Sequence, residues 1–208
     1  MRTCDRRIRS RSVTAAFRKA WQDQHPDGSV IYRDLAADPV PHLDAVTAST
    51  SYTDPADHTP AQVEAYAPRL ELIKELEYAD AVLIGAPMYN LTIPSTLKAW
   101  VDQVTIVGRT AFVEDSPIKG TPVFVVASRG GAYGPGTPCK GYECVQNYLQ
   151  AVLADLVGME IDFIVPELTT AHSNPALPLL IPLADAPKAK AYEDAISKGK
   201  AAAPNVAA

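Results

Sequence analysis

Two segments of this sequence combine residue types that could bind a flat heteroaromatic ring. The first comes directly after an apolar run at residues 81–86 and consists of Pro87, Met88, Tyr89, Asn90 and Leu91. A thioether and an aromatic ring would cover the faces of such a ligand, while amide and backbone groups would bind its edge heteroatoms. The alternative is that Met88 and Tyr89 simply pack beneath the following helix.

The second segment follows another apolar run, at residues 123–127, and contains paired glycines. Its members are Ser128, Arg129, Gly130, Gly131 and Tyr133. Paired glycines let backbone N–H groups approach a ligand closely, and the serine hydroxyl can donate or accept a hydrogen bond. An ordinary glycine turn is the alternative, and the binding hypothesis depends on this segment lying beside the first.

A third candidate lies near the start of the chain and could bind a phosphate. Ser10 and Ser12 come just before a predicted helix at residues 13–24. Hydroxyls and free N–H groups at a helix N-terminus attract anions, helped by the positive end of the helix dipole. Simple N-capping by a serine is an equally good interpretation on capping preferences alone.

The elements that must position these residues alternate between strand and helix along the chain. Such alternation predicts an α/β fold with a doubly wound parallel sheet, in which ligands bind at the carboxyl ends of the strands. A polar stretch at residues 38–60 indicates a long surface excursion. The apolar periodicities predict helices at 13–24, 61–77, 94–107, 145–156 and 185–200, and strands at 30–32, 81–86, 123–127 and 161–165.

The predicted sheet is one strand short. Folds of this kind open with a buried strand that leads into the phosphate loop, and residues 1–4 are too short and polar to form it. We expect the first strand to be absent or truncated, and we favour a true start upstream, because losing a strand inside the sheet would expose two unpaired edges.

Composition limits the classes of function. The chain has 208 residues, 47% of them apolar, and a net charge of −5, which argues against nucleic acid as a partner. We expect one domain over residues 1–208, with a basic phosphate-loop region at 1–12 and a disordered tail at 201–208. No apolar run is long enough to span a membrane, and the odd set of three cysteines indicates free thiols, so we expect a cytoplasmic protein.

Several motifs together resemble one family. Ala-Pro-Met-Tyr-Asn at 86–90, Ile-Pro-Ser-Thr-Leu-Lys-Ala-Trp at 93–100, Gly-Arg-Thr at 108–110 and Ser-Arg-Gly-Gly at 128–131 are similar to those of the FMN-dependent NADH:quinone oxidoreductases known as azoreductases. The resemblance implies a flavodoxin-like fold and a homodimer bordered by the helix after Pro94. It also implies FMN as cofactor, with its phosphate at Ser10 and Ser12.

The resemblance further implies where the flavin ring and the acceptor bind. The ring would lie between residues 87–91 and the segment that contains Ser128, Arg129, Gly130, Gly131 and Tyr133. Phe112 would line the acceptor pocket, although the spacing from Arg109 to Phe112 differs by one residue from the family pattern. No metal and no side-chain nucleophile is expected, because the flavin itself carries the chemistry.

The implied activity is hydride transfer from NADH or NADPH through FMN to a quinone or azo compound, by a ping-pong mechanism. One alternative is a tailoring flavin reductase for a specific polycyclic or quinone metabolite, since the Phe112 spacing and residues 174–182 could reshape the pocket. The other is a flavin-free dimeric scaffold with a degenerate cofactor site, an interpretation favoured by the missing first strand.

Overall fold

A three-stranded parallel sheet forms the centre of the protein. The computed structural model describes residues 10–171 and 173–202. Its strands run in the order β1 (Val82–Gly85), β2 (Pro122–Val126) and β3 (Glu160–Ile164), with Ile84 opposite Val125 and Val125 opposite Phe163. All three coincide with predicted strands to within one residue at each end. Strands β1 and β2 are short apolar runs, which suit the interior of a parallel sheet, whereas β3 contains Glu160 and Asp162.

Helices cover both faces of the sheet, as the alternating pattern predicts. They are α1 (Ser10–Gln24), α2 (Ala45–Ser49), α3 (Pro60–Glu77), α4 (Ser95–Val104), α5 (Val145–Leu149) and α6 (Ile181–Ala201). Helix α5 continues directly as a π-helical segment, Gln150–Leu156. Short 3-10 turns lie at Pro55–Asp57, Lys140–Tyr142 and Pro178–Leu180.

Side-chain alternation along the strands divides the core into two layers. Val123 and Val125 of β2 pack with α3, α4 and α5, whereas Phe124 and Val126 pack with α1 and α6. Successive strand residues point to opposite faces, so one strand serves both layers. The ring centroids of Phe17 in α1 and Phe124 are 4.8 Å apart, which fixes α1 against the sheet.

The surface excursion at 38–60 is attached to the core by one fully buried arginine. The Arg69 guanidinium of α3 donates to the carbonyls of Gln103, Asp102 and Thr105 at the end of α4. It also donates to the Thr47 carbonyl and to the hydroxyls of Thr50 and Ser51 in the excursion. Burial lowers the pKa of Arg69. The carbonyls at the negative end of the helix dipole stabilise its charge.

Several predicted elements differ from the structure. Helix α1 already includes Ser10 and Ser12, which were predicted to precede it, and α4 ends at Val104 rather than at 107. The strand predicted at 30–32 is wrong: these residues form no ladder with any described strand, and Ile31 and Tyr32 are 66% and 65% exposed. Their β-branched and aromatic types favour a strand only where a neighbouring strand offers hydrogen bonds. Helix α6 begins at Ile181 rather than at 185, because Pro182 fits the first turn of a helix, where its missing N–H costs nothing.

Several predictions fall on residues that the structure does not describe. They concern the strand that residues 1–4 could not supply, the basic residues before Ser10 and the tail from residue 203. Helix α6 runs to Ala201, one residue into the predicted tail, and Ala202 is buried. Among described residues no strand pairs with the outer edge of β1.

Candidate functional site

The two predicted ring-binding segments lie side by side at the carboxyl edge of the sheet. Sheet-like hydrogen bonds continue beyond the strands: Met88 N–H donates to the Ser128 carbonyl at 2.7 Å, and Arg129 N–H donates to the Pro166 carbonyl at 3.0 Å. The loops that follow β1, β2 and β3 are therefore held in register with one another. This is the edge at which open α/β sheets bind ligands.

The first segment ends in a tight hairpin. Tyr89 and Thr92 exchange both backbone hydrogen bonds, at 2.8 and 3.1 Å, and the two residues between them, Asn90 and Leu91, have φ angles of 49° and 75°. Two successive positive φ values are typical of a type I′ turn, whose second position usually takes glycine. A leucine there is strained. Tyr89 is 60% and Leu91 40% exposed, so the hairpin presents both side chains to solvent.

The glycine-rich segment is closed on one side and open on the other. Thr170, from the loop after β3, donates its hydroxyl to the Gly130 carbonyl at 2.8 Å, and a Cβ atom on Gly130 would lie 2.9 Å from the Thr170 methyl carbon. On the other side, the N–H groups of Gly130 and Gly131 have no acceptor within the described protein. These two donors are available to a ligand.

The Arg129 side chain enters a buried ion-pair network and lies over the ring of Tyr133, 5.8 Å from its centroid. Its Nε donates to Glu167 at 2.8 Å, and its Nη1 lies 3.2 Å from the Gln146 amide oxygen and 3.6 Å from Glu143. Glu167 also accepts the Tyr133 N–H at 2.9 Å. Only 9% of the Arg129 side chain is exposed. The side chain thus ties the glycine-rich loop to the loop after β3 and to the start of α5.

The start of α1 lies at the same edge. Ser10 is buried, and a Cβ atom on Gly85, the last residue of β1, would lie 3.5 Å from the Ser10 hydroxyl. Arg11 pairs with Asp34 at 2.8 Å, which links the first turn of α1 to the segment after the predicted 30–32 strand. Ser12 is half-buried in the same turn. The two predicted phosphate ligands are therefore near the carboxyl end of β1.

Phe112 lies apart from these loops. It has a φ angle of 58°, is 69% exposed and donates its N–H to the Leu156 carbonyl at 2.9 Å, at the end of the π-helical segment. This hydrogen bond joins Phe112 to the π-helical segment that follows α5.

A cleft beside the hairpin contains functional groups that sequence reasoning missed. It has a volume of about 450 Å³ and is lined by Tyr89, Asn90, Thr92, Ile93, Ser95, Lys98 and Tyr148. Lys98 pairs with Asp102 one turn further along α4. That pair is visible in the sequence as lysine and aspartate four residues apart. Tyr148, fifty positions downstream of Lys98, gives no such signal.

The cleft keeps its donors protonated at neutral pH. Burial lowers the pKa of Lys98, but the Asp102 carboxylate and the nearby Tyr148 outweigh burial, so the net pKa is raised. For Tyr148, burial raises the pKa, and the Asp102 charge adds to this effect despite the opposing Lys98 charge. The lysine is therefore an ammonium and the tyrosine a neutral phenol.

The described residues offer neither a metal site nor a membrane-spanning helix. No cluster of histidine, cysteine, aspartate or glutamate there is arranged to hold a metal ion. Among those residues, no helix combines the length and the apolar character needed to cross a membrane.

Comparison with known proteins identifies the family. A family model described as flavodoxin-like fold matches residues 5–174. An FMN-dependent NADH:quinone oxidoreductase of Streptomyces avermitilis is 62% identical over 199 residues, covering 96% of this chain and 92% of the relative. This chain belongs to that flavodoxin-like oxidoreductase family. The resemblance and the fold predicted from the motifs are confirmed.

Further relatives agree with this family assignment. An FMN-dependent NADH:quinone oxidoreductase of Streptomyces coelicolor is 58% identical over 191 residues, covering 92% of this chain and 86% of the relative. Among solved structures, an azoreductase from Bacillus anthracis superimposes with a TM-score of 0.77 at 21% identity, covering 92% of this chain and 91% of that one. At that identity the structural likeness supports the fold alone.

Proposed function

We propose that this family member is an FMN-dependent oxidoreductase that passes hydride from NADH or NADPH to a quinone or azo acceptor. The observation that carries the proposal is the meeting of three predicted segments at one sheet edge: the hairpin after β1, the glycine-rich loop after β2 and the start of α1. The names of the relatives, FMN-dependent NADH:quinone oxidoreductases, agree with it.

The residues at this edge fit a flavin mononucleotide. The N–H groups of Gly130 and Gly131 have no acceptor within the described protein, which suits the oxygen and nitrogen atoms at a flavin edge. The exposed hairpin supplies an aromatic ring and an amide beside them. In this proposal Ser10 and Ser12 bind the phosphate, while Pro87, Met88, Tyr89, Asn90, Leu91, Ser128 and Tyr133 surround the ring.

The bound flavin supplies reversible two-electron chemistry, and this chain supplies orientation and electrostatics. Backbone donors at Gly130 and Gly131 would stabilise negative charge on a flavin held at this edge. The hairpin and the glycine-rich loop would orient the ring so that nicotinamide and acceptor could bind in turn, and we therefore expect ping-pong kinetics. Arg129 acts here as a positioning residue, since its side chain holds the loop that carries both donors.

The proposal has three further parts. We propose a homodimer whose partner borders α4, a cytoplasmic location and an acceptor pocket that uses Phe112. The wide exposure of Phe112 supports the last of these, because a ring that is 69% exposed is available to a ligand or a partner subunit. Light scattering tests the dimer, and a monomer would remove that part of the proposal.

The decisive experiment compares Gly130→Val with the matched control Gly134→Val. A side chain at Gly130 meets Thr170 at 2.9 Å, whereas at Gly134 nothing lies within 4 Å of a Cβ atom. We expect Gly130→Val to lose FMN affinity and NADH-dependent menadione reduction, and Gly134→Val to keep both. Asn90→Ala should weaken FMN binding about three- to tenfold, the equivalent of one hydrogen bond.

Two results would contradict the proposal. Full activity in both the Gly130→Val and Asn90→Ala variants would show that the flavin lies elsewhere. A parent protein that purifies without the visible absorbance of flavin and fails to take up added FMN would favour the flavin-free scaffold. Circular dichroism of each variant separates loss of binding from loss of folding.

A further inference from the structure

The cleft beside the hairpin contains one charged group among neutral donors. Lys98 is the only charged side chain among its described lining residues, and its side chain is 46% exposed. Asp102 pairs with Lys98 but does not line the cleft. The ammonium therefore presents its charge to the cleft, while its counterion lies to one side.

The remaining lining groups favour an aromatic ligand. Tyr148 faces Lys98, with its ring centroid 5.9 Å from the Lys98 Nζ, and Tyr89 adds a second ring. Thr92, Ser95 and Asn90 contribute hydroxyl and amide donors around them. A volume of about 450 Å³ accommodates a substituted ring system and falls within the usual range for small-molecule sites.

The cleft adjoins the candidate flavin site. Tyr89 and Asn90 belong both to the hairpin that we assign to the ring and to the wall of the cleft. A ligand that reaches from the flavin face past the hairpin would enter it. The start of α4, at Ser95, lies in the same wall, so its helix dipole adds to the positive potential of Lys98.

We propose that this cleft is a specificity subsite for the anionic substituent of an aromatic acceptor, a sulfonate or carboxylate that binds Lys98 beside the rings of Tyr89 and Tyr148. The inference rests on the proposed function, because it assigns the acceptor class of that same site. Lys98 acts in recognition and takes no part in hydride transfer.

The test uses a redox-inert ligand pair, so that binding is measured without turnover. Naphthalenesulfonate carries the anion, and naphthalenesulfonamide is its neutral counterpart of nearly equal shape. Calorimetry on the full chain with added FMN should show that Lys98→Gln weakens sulfonate binding about five- to tenfold, the loss of one charge-assisted hydrogen bond. Sulfonamide affinity should change by less than about twofold, because neutral groups gain little from the ammonium.

Two further variants separate charge from shape. Lys98→Arg retains a cation next to Asp102 and should retain sulfonate selectivity. Lys190→Gln is the matched control: Lys190 and Asp194 form the same four-residue pair on α6, outside the cleft. It should leave both affinities as in the parent protein. In steady-state assays, the selectivity for a sulfonated over a neutral naphthoquinone should fall in Lys98→Gln alone.

Three outcomes would overturn the inference. The first is failure of the parent protein to bind the sulfonate, and the second is an equal loss of both ligands in Lys98→Gln. The third is displacement of the sulfonate by NADPH together with a raised NADPH KM in Lys98→Gln, which would assign the cleft to a dinucleotide phosphate. The first two outcomes are read from binding alone, and the displacement of the sulfonate by NADPH is likewise measured without turnover, so failure of the proposed function remains a separate result.

Discussion

Replacing Arg129 by leucine tests the network that holds the glycine-rich loop. The substitution keeps a bulky side chain but removes the donors to Glu167 and Gln146 and the charge beside Glu143. Two carboxylates that are only 24% and 11% exposed then lose their cationic partner. The side-chain ties from Arg129 to Glu143, Gln146 and Glu167 are lost together, while the backbone hydrogen bond from Arg129 to Pro166 remains.

The expected cost follows from what remains around those carboxylates. Removing one partner of a buried ion pair costs about 3–5 kcal/mol. Here Glu167 keeps the Tyr133 N–H and Glu143 keeps the N–H groups of Val145 and Gln146, so part of the solvation is retained. We therefore expect Arg129→Leu to lower the free energy of unfolding by about 2–3 kcal/mol.

Urea unfolding with a constant m-value measures this loss. Arg129→Lys should cost about half as much, because an ammonium keeps the charge but not the planar fork of donors. FMN affinity should fall in both variants, since Gly130 and Gly131 follow Arg129 directly. The exposed control Lys190→Met should leave stability unchanged within the error of the measurement. If Arg129→Leu were as stable as the parent within that margin, the network would not hold the loop.

Three other substitutions test separate features. Arg69→Met should lower the free energy of unfolding by about 3 kcal/mol, because the carbonyls of Asp102 and Gln103 lose their guanidinium donor. An unchanged midpoint of urea unfolding would refute this. Leu91→Gly should raise the free energy of unfolding by about 0.5–1 kcal/mol, because glycine adopts a φ of 75° without strain, and acceptor reduction should fall if the leucine side chain contacts the ligand. A destabilised variant would show that the backbone at Leu91 is not strained. Hydrogen bonds from Thr47 lower the pKa of Asp44, so the Asp44 carboxylate should contribute to stability above about pH 4, and this contribution should be lost as the pH falls further. Asp44→Asn should remove this pH-dependent contribution, which a comparison of urea unfolding near neutral pH and near about pH 3 would check.

The sequence was most informative where structure is local or where burial is complete. Strands β1 and β2 are apolar runs whose residue types alone indicate a doubly covered sheet, whereas β3 contains Glu160 and Asp162 and was found from its β-branched and aromatic residues. The loops at 87–91 and 128–131 could be placed together because parallel strands share one carboxyl edge. The strand predicted at 30–32 failed because pairing depends on a neighbour, which is a property of the whole sheet and not of three residues.

The missed residues depend on long-range contacts. Arg69 occupies a helix position where an arginine usually faces solvent, and only the fold brings α4 and the 47–51 segment around it. The pairing of Lys98 with Tyr148 likewise requires α4 and α5 to lie on the same face of the sheet. Arg129 was predicted within the cofactor site, and its side-chain direction could not be read from the sequence.

The number of residues in the π-helical segment Gln150–Leu156 affects the position of Phe112, which we assign to the acceptor pocket. Such a segment amounts to one extra residue in an α-helix, here marked by the Val157 N–H that reaches back to the Val152 carbonyl. A one-residue insertion or deletion that no such widened turn absorbs rotates the end of the helix by about 100°. The Leu156 carbonyl, which holds Phe112, would turn with it. Single-residue insertions and deletions in this helix would thus give evolution a way to redirect the Phe112 loop without altering any residue in that loop.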